Sequence, residues 1–337
     1  MVRVRSGGST GAPKTLHRPI ETWVTSAQLE AQAFGLSAQD RFAVLGSPSH
    51  SLWGYVHFRA AQLAAPCVGL SASDISAWSA SALQKWNVVA PTVLYGVPEL
   101  VATFARQLHR HAQPALAVRM VLLGGGPVSP SFPTSLMQSI FPNASLWCFY
   151  GTAETSFIGY QRLEAPTFVL FPSVELDIRV EPDGGDVGEI WVRSPMAISP
   201  EAWVNTGDIG RSVDGVGLQL LGRATRQLVV KGEKHLVEPI EQALMKRFDL
   251  ARVALLANSQ GQVSCLIAAF SCEAGAGGSA PANGLSLEQV NAACRDRDPG
   301  FPGVRRVITL TAKDWPTTLA GKTNFVALKG FLEGADT

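Results

Sequence analysis

The sequence carries little charge, and the charge it has is almost balanced. Of its 337 residues only 16% are Asp, Glu, Lys or Arg, and the formal net charge at pH 7 is +1. Nucleic acids and anionic membranes attract proteins through clustered basic side chains, which this composition does not supply. We therefore expect the chain to bind neither nucleic acid nor a membrane surface.

Long apolar runs and regularly spaced cysteines are also missing. No uninterrupted apolar stretch approaches the roughly 20 residues that cross a bilayer, and the first residues show no basic-then-apolar leader. The five cysteines are odd in number and lack the close pairing of metal ligands, which is typical of reduced thiols packed as small hydrophobic groups. Together these absences predict a cytoplasmic protein.

Segments with strand and helix patterns alternate in the first half of the chain. Short apolar runs rich in β-branched residues predict buried strands at Arg41–Leu45, Val88–Leu94 and Val118–Leu123. Apolar residues at helical spacing predict helices at Ile20–Phe34 and Pro98–His111. Such alternation favours an α/β fold, with a layered large domain built on a mostly parallel sheet.

The pattern changes twice further along the chain. After about Phe171, strand-like segments separated by Asp-Gly turns predict an antiparallel β subdomain; they are Val174–Val180, Gly188–Val192 and Leu218–Leu221. From Gly222 onward, mixed segments predict a small α+β domain. These are Ile240–Phe248, Val253–Ala257, Val263–Phe270 and Leu287–Cys294, with a Gly/Ala/Ser-rich insert at Glu273–Gly284. We expect two domains, 1–221 and 222–337.

The densest cluster of glycine and hydroxyl residues follows a strand-like run, Val2–Val4. It consists of Ser6, Gly7, Gly8, Ser9, Thr10 and Gly11, followed by Lys14. Glycines let backbone N–H groups approach an anion, hydroxyls add donors, and the lysine adds a positive charge. The segment therefore indicates a polyphosphate-binding loop, although a Gly/Ser-rich turn is the commoner explanation of such a segment on its own.

Five further segments contain glycines or polar residues at the ends of strand-like runs or in turns. They are Gly124, Gly125 and Gly126; Tyr150, Gly151, Thr152 and Glu154; Asp208; Arg223; and Lys322. The first two segments are expected at the carboxyl ends of strands, where open α/β sheets bind ligands. Taken singly, each has an ordinary structural explanation, such as a core aromatic or a simple turn. A Walker loop at Lys322 is excluded, because Pro316 stands where that motif requires glycine.

In this order and at these intervals, the segments resemble the adenylate-forming superfamily, which includes acyl- and aryl-CoA synthetases. The resemblance covers essentially the whole chain. It implies that the 6–14 segment is the phosphate loop, that Tyr150 stacks on adenine, and that Asp208 binds the ribose. Arg223 matches the arginine before the hinge, and Glu154 matches the magnesium ligand.

The resemblance also implies a reaction. In this superfamily a carboxylic acid attacks the α-phosphate of MgATP, which gives an acyl-adenylate and pyrophosphate, and a thiol then displaces AMP. Lys322, Thr10 and Glu154 are the catalytic residues that it implies, with Lys322 on a mobile C-terminal domain. His50 falls near the substrate-side residue of the family, which implies a contact with the acid. Phe149, beside Tyr150, is a second candidate for the acid pocket and indicates an apolar or aromatic acid, although an aromatic residue there is equally typical of a core. The implied thiol is coenzyme A, or the phosphopantetheine of a carrier protein.

Two alternatives stay open from the sequence. One is an acyl-AMP ligase that loads a carrier protein, and the other is an ATP-binding pseudoenzyme or one half of a split synthetase. The presence of Glu154, Asp208, Arg223 and Lys322 favours an active enzyme over a pseudoenzyme.

The sequence departs from the family pattern in four places. Members usually carry a long region before the phosphate loop, so this chain looks like a compact form that lacks it. Such a form is expected to expose apolar surface, which predicts a homodimer or a partner that covers it. Thr225 stands where the hinge usually has Asp or Lys, Ala153 stands where threonine is common, and Pro239 replaces the first acid of a Glu-Ile-Glu motif.

Overall fold

The computed structural model describes residues 1–5, 15–113, 115–181, 185–230, 232–258, 261–268, 285–311, 314–318 and 323–334. Within these ranges the strands are β1 (Val2–Arg5), β2 (Thr15–Arg18), β3 (Phe42–Leu45), β4 (Cys67–Leu70), β5 (Val93–Gly96), β6 (Met120–Leu123), β7 (Ser145–Thr152), β8 (Ser156–Arg162), β9 (Phe168–Leu170), β10 (Glu175–Val180), β11 (Gly188–Arg193), β12 (Val204–Val213), β13 (Gly217–Arg223), β14 (Gln227–Val230), β15 (Glu233–Leu236), β16 (Arg252–Ala257), β17 (Val263–Ala268) and β18 (Arg306–Leu310). The helices are α1 (Ile20–Phe34), α2 (Ser51–Gln62), α3 (Ala72–Ala77), α4 (Ala80–Val89), α5 (Pro98–Arg110), α6 (Thr134–Ile140), α7 (Val237–Phe248), α8 (Leu287–Arg297) and α9 (Phe325–Gly334), with a 3₁₀ turn at Ala224–Arg226.

Eleven of the described strands form one mixed sheet, in the order β10-β11-β12-β13-β9-β8-β7-β6-β5-β3-β4. The half from β4 to β7 is parallel, and the half from β7 to β10 is antiparallel. This confirms the α/β prediction. The antiparallel strands predicted after Phe171 are present, and they continue the same sheet through the β7–β8 hairpin instead of forming a separate one.

Helices cover both faces of the parallel half, as buried parallel strands require. Helices α1 and α2 pack on one face through residues such as Trp23, Phe34 and Tyr55. Helices α3 to α6 pack on the other face through residues such as Trp86 and Phe104. The central strands β3, β5 and β6 are consequently buried along their whole length.

The carboxyl ends of the parallel strands meet at one edge of the sheet. Leu45, Gly96 and Leu123 are partners in register and each ends its strand. Strand β7 extends beyond this edge, because its pairing with β6 stops at Cys148 while its pairing with β8 continues to Thr152. Residues 149–152 therefore project past the end of the neighbouring strand, together with the loops that follow the other strands.

The last part of the chain forms smaller α+β units. Strands β14 and β15 form a hairpin, and β16, β17 and β18 form a separate sheet. Helices α7 and α8 pack on one side of that sheet. Helix α9 packs on its other side, where Leu328 and Leu332 belong to the same buried cluster as Trp315. This arrangement agrees with the α+β region predicted after Gly222.

One helix matches its prediction at both ends, and one strand does not. Helix α1 runs from Ile20 to Phe34 as predicted and ends at Gly35, whose left-handed φ of 60° suits glycine. The strand predicted at Val88–Leu94 is wrong at its start, because Val88 and Val89 form the last turn of α4. The chain leaves this helix through Ala90 in the left-handed region, and the strand begins only at Val93.

The cysteines in the described ranges are unpaired, as predicted. Cys148, Cys265 and Cys294 are buried and Cys67 is half-buried, and burial raises the pKa of each thiol. Cys272 lies outside the described residues. Among the helices of the described ranges, none combines the length and the apolar character needed to cross a membrane.

Candidate active site

Tyr150, Asp208 and Arg223 form a continuous chain of polar contacts. The Tyr150 hydroxyl donates a hydrogen bond to Asp208 Oδ2 at 2.8 Å, and Arg223 Nε lies 2.8 Å from Asp208 Oδ1. Asp208 on β12 and Arg223 on β13 are direct cross-strand partners, so the sheet register places them together. Three residues that the sequence singled out separately are thus one cluster in the structure.

The backbone before Asp208 is held by its own side chains. The Asn205 side-chain carbonyl accepts a bond from the Gly207 N–H at 2.8 Å, and Thr206 Oγ1 accepts one from the Asp208 N–H at 3.1 Å. Gly207 has a φ of +73°, a conformation that glycine adopts without strain. These local bonds explain why the Asn-Thr-Gly-Asp sequence presents its carboxylate in a fixed direction.

Burial governs the protonation of this cluster. The Asp208 side chain is only 8% exposed, and burial raises its pKa above the usual value, with Arg223 opposing the effect. Burial and the adjacent carboxylate also raise the pKa of Tyr150 well above 10, so the phenol keeps its proton and acts as the donor. Each carboxylate oxygen retains a second lone pair, and two such acceptors suit a vicinal diol.

A tight turn joins β7 to β8 and carries Glu154. Thr155 Oγ1 accepts a bond from the Thr152 N–H at 3.1 Å, and Thr152 Oγ1 accepts one from the Thr155 N–H at 3.2 Å. Gly151 is required at the start of this turn, because a Cβ there would lie 1.8 Å from the Ser156 carbonyl oxygen. The Thr152 hydroxyl, predicted as a nucleotide ligand, therefore also takes part in the turn.

The surroundings of Glu154 fit a magnesium ion that is shared with substrate phosphates. Among the residues that the structure describes, no three metal-binding side chains come together. Glu154 is a half-buried carboxylate on this turn, and Mg²⁺ keeps several waters and needs only one or two protein carboxylates besides phosphate oxygens. The donor set is thus compatible with the magnesium role predicted for Glu154.

An aromatic wall lies beside the glycine segment after β6. A Cβ on Gly124 would lie 2.2 Å from Cζ of Phe149, so that side of the backbone is already packed against the ring. Phe149 in turn contacts Phe157 edge to face, with centroids 5.2 Å apart. Gly125, with a φ of +77°, is exposed and Gly126 is half-buried. A flat ligand could therefore reach bare backbone at Gly125 and Gly126, but at Gly124 the Cβ side is filled.

His50 lies just before helix α2, after the carboxyl end of β3. It is the N-cap residue of this helix, and its backbone N–H donates to the Ser47 carbonyl at 3.0 Å. The side chain is partly exposed. Its place at the same sheet edge as Gly124 is consistent with the predicted substrate role.

Comparison with known proteins identifies the family. The model of the AMP-binding enzyme family matches residues 6–200, which is more than half of the chain. The chain belongs to the AMP-binding enzyme family. It is 26% identical over 260 residues to the uncharacterized acyl-CoA ligase YhfT of Bacillus subtilis. The alignment covers 71% of this chain and 52% of YhfT.

Two further similarities are to a curated protein and to a solved structure. The chain is 25% identical over 295 residues to the salicyl-AMP ligase / salicyl-S-ArCP synthetase of Mycobacterium tuberculosis, covering 79% of this chain and 51% of that protein. The structure resembles that of o-succinylbenzoate coenzyme A synthetase of Bacillus subtilis, solved with ATP and magnesium, with a TM-score of 0.72 and 20% sequence identity. The superposition covers 97% of this chain and 69% of the synthetase. This likeness shows the fold. The chain spans about half the length of the curated relatives it matches.

Two groups of predicted site residues lie outside the described residues. They are the predicted phosphate loop, with Ser6, Gly7, Gly8, Ser9, Thr10, Gly11 and Lys14, and the predicted catalytic residue Lys322. The flanks of both are described. Strands β1 and β2 pair antiparallel up to Arg5 and Thr15, and Thr317 pairs with Thr323.

Sequence reasoning missed two side chains, one buried and one half-buried, that bind the backbone of this candidate site. Arg18 donates to the carbonyl oxygens of Ala153 and Glu154, and Glu238 accepts a bond from the Arg223 N–H. Burial raises the pKa of Glu238 to about 7. The partners of both side chains are main-chain groups, 135 and 136 residues away for Arg18 and 15 residues away for Glu238, so no motif could have revealed them.

Proposed function

We propose that the chain activates a carboxylic acid with ATP and transfers the acyl group to a thiol, with coenzyme A as the acceptor. In the first step a carboxylate oxygen bonds to the α-phosphorus, and the bond to the bridging oxygen of the β-phosphate breaks, releasing pyrophosphate. In the second step the thiol sulfur bonds to the acyl carbon, the bond to AMP breaks, and the thiol proton is lost to solvent.

The observation that carries this proposal is the Tyr150–Asp208–Arg223 cluster. A buried carboxylate held by a phenol and a guanidinium is costly to maintain unless its remaining acceptors are used. The ribose of ATP offers the two adjacent hydroxyls that such a carboxylate binds. Tyr150 lies on β7, and Glu154 lies in the turn that joins β7 to β8. From there Glu154 would hold Mg²⁺ on the phosphates.

The chemistry of adenylation fits a site built from charge and position. Two anions, the carboxylate and the triphosphate, must approach each other, so the protein chiefly neutralises charge and aligns the reactants. In this proposal Lys14, Thr10 and the N–H groups of the 6–11 segment hold the phosphates. Lys322 neutralises the charge that develops at the α-phosphorus. When bound, Mg²⁺ draws electron density from the phosphates.

The C-terminal part, residues 222–337, is proposed to move between the two steps. Arg223 stays on β13, where it pairs with Asp208. Among the residues that the structure describes, the part after Arg223 makes single polar contacts with the preceding part, which include Glu238 with the Arg223 N–H, Lys234 with Glu181, and Met245 Sδ with the Ser129 hydroxyl at 3.8 Å. A rotation that begins after Arg223 therefore costs little.

A carrier protein is the second candidate acceptor. It is favoured by the similarity to a synthetase whose name includes acyl transfer to the carrier ArCP. The two acceptors share the phosphopantetheine thiol, so the first half-reaction is the same for both. They differ in whether free coenzyme A accelerates turnover.

The test is exchange of radiolabelled pyrophosphate into ATP, measured against a panel of aliphatic and aromatic acids. We expect acid-dependent exchange with at least one acid, and AMP release that accelerates when coenzyme A is added. Asp208→Asn serves as the control for the nucleotide site. Acid-dependent exchange with AMP release that coenzyme A does not accelerate would favour the carrier protein as acceptor. No exchange with any acid would favour the pseudoenzyme.

A further inference from the structure

Arg18 occupies an unusual position for an arginine. It is the last residue of β2 and is only 1% exposed, which places it among the largest fully buried side chains of the described residues. Its Nη2 donates to the carbonyl oxygens of Ala153 at 3.0 Å and Glu154 at 3.3 Å. Its Nη1 lies 3.3 Å from the carbonyl oxygen of Met196. One guanidinium thus joins three segments that are distant in sequence.

The Arg18 charge is balanced by carbonyl dipoles and not by an ion pair. Within the described residues no carboxylate oxygen lies within 4.0 Å of this guanidinium, and its Nε has no hydrogen-bond partner. Burial lowers the pKa of Arg18 to about 10, and the nearby Glu154 carboxylate opposes the effect. The side chain is therefore still cationic at neutral pH. Burying an unpaired cation is costly, so a neutral residue would serve better if only packing were required.

The place of Arg18 in the chain connects the two sides of the proposed metal–nucleotide site. Strand β2 begins at Thr15, directly after the 6–14 segment, and Arg18 lies on the same short strand. Across from it, the Glu154 carbonyl also accepts a bond from the Ile198 N–H at 2.8 Å. The backbone of Glu154 is consequently held from two directions, by Arg18 and by the 194–198 segment.

We propose that Arg18 is a positioning residue that fixes the Glu154 carboxylate relative to the strand leaving the phosphate loop. This inference rests on the proposed function, because it assigns Glu154 to magnesium. Arg18 itself touches neither substrate nor metal. Loss of its fork-shaped donors frees the Ala153–Glu154 backbone, so magnesium-dependent binding of ATP weakens while the contacts of Asp208 with the nucleoside persist.

A lysine at position 18 separates this role from simple filling of the core. Arg18→Lys keeps the positive charge and most of the volume, but it cannot donate to three divergent carbonyls at once. The matched control is Arg59→Lys. Arg59 is also a buried arginine, 4% exposed, but it lies on α2 and its Nε is 3.9 Å from a Glu30 carboxylate oxygen.

The experiment measures ATP binding by titration calorimetry with Mg²⁺ and with EDTA, together with the melting temperature of each variant. For Arg18→Lys we expect the Kd of MgATP to rise at least tenfold and the Kd of ATP in EDTA to change less than twofold. For Arg59→Lys we expect a lower melting temperature with the ratio of the two Kd values unchanged. The apparent KM for Mg²⁺ in pyrophosphate exchange should rise only in Arg18→Lys.

Several outcomes would overturn the inference. Equal weakening of MgATP and of ATP in EDTA would make Arg18 a general structural residue, and so would a loss of melting temperature with unchanged Kd values. If Arg18→Lys does not fold, Thr155→Val loosens the same turn from its other side, and an unchanged magnesium dependence there contradicts the proposal. Failure of the wild-type chain to bind MgATP at all would instead refute the proposed function.

Discussion

The Tyr150 hydroxyl donates a hydrogen bond to Asp208 Oδ2 at 2.8 Å, across a separation of 58 residues in sequence. Tyr150 was predicted from the resemblance to stack on adenine, and that role stays a prediction. The structure gives it a second one, since its hydroxyl orients the carboxylate that is proposed to bind the ribose. If both proposed roles hold, adenine and ribose recognition are coupled through the Tyr150 side chain.

This coupling can be measured with two substitutions. Asp208→Asn removes the charge and is expected to weaken ATP binding by about 10- to 100-fold, since hydrogen bonds to charged groups contribute about 1.5–3 kcal/mol. Tyr150→Phe removes only the orienting donor and should weaken binding by about 3- to 10-fold. In the double variant the effects should be less than additive. Additive effects in calorimetric titrations would show that the two residues act independently.

The packing of Phe149 on Gly124 predicts a paired substitution effect. In Gly124→Ala the new methyl group would lie 2.2 Å from the Phe149 ring, so the ring must shift. We expect a raised KM for the acid with little change in the KM for ATP. Adding Phe149→Ala should relieve the clash and restore binding, with a preference for bulkier acids. An unchanged acid KM in Gly124→Ala would place the acid pocket elsewhere.

A buried carboxylate predicts how stability changes with pH. Glu30 on α1 is 0% exposed and accepts hydrogen bonds from Tyr55 at 2.7 Å and Tyr95 at 2.8 Å. Burial raises its pKa from 4.5 to about 7, against the opposing effects of these phenols and of Arg59. The native state therefore holds a proton that the unfolded chain releases at lower pH.

The sign of the Glu30 effect follows from this difference. Between pH 4.5 and about 7 the folded protein binds more protons than the unfolded chain, so the Glu30 contribution to stability falls as pH rises. The loss is complete above the folded pKa and amounts to at most about 3 kcal/mol. Urea unfolding from pH 5 to 8 should show a smaller decline in Glu30→Gln than in the wild type. An identical decline in both would assign the titration to another group.

A second buried pair predicts the stability of the C-terminal part. Arg226 pairs with Glu241, and its guanidinium lies 3.7 Å from the ring centroid of Phe325. Glu241 Oε1 also accepts the Leu255 N–H at 2.7 Å. Removing one charge leaves the other buried and unpaired, so Glu241→Gln should cost about 3–5 kcal/mol. The double variant Glu241→Gln/Arg226→Met should recover part of this loss in urea unfolding, and strict additivity would contradict the pairing.

The sequence predicted those features that depend on local pattern. Helix α1 was predicted with both ends correct, because its apolar residues follow the helical period and Gly35 ends it. Val88 and Val89 were assigned to a strand because β-branched residues favour strands. Val88 and Val89 belong instead to helix α4, which buries Ala82 and Trp86. Tertiary packing decided a segment for which local propensity gave the wrong answer.

The site shows the same division. Gly151, Asp208 and Arg223 were found from sequence because each belongs to a short motif with a recognisable order. Arg18 was not found, because its partners are the carbonyl oxygens of residues 153, 154 and 196, and every residue has such an oxygen. The homodimer or covering partner stays a prediction.

The most direct test is to look for the acyl-adenylate itself. The chain is incubated with MgATP and a panel of acids without any thiol, quenched, and analysed by mass spectrometry for acyl-AMP. We predict acyl-AMP in amounts matching the released pyrophosphate, and a loss of at least about 100-fold in Lys322→Ala, the usual size for removing a donor to developing negative charge. Formation of ADP and phosphate, or no adenylate with any acid although MgATP binds, would contradict the proposed reaction.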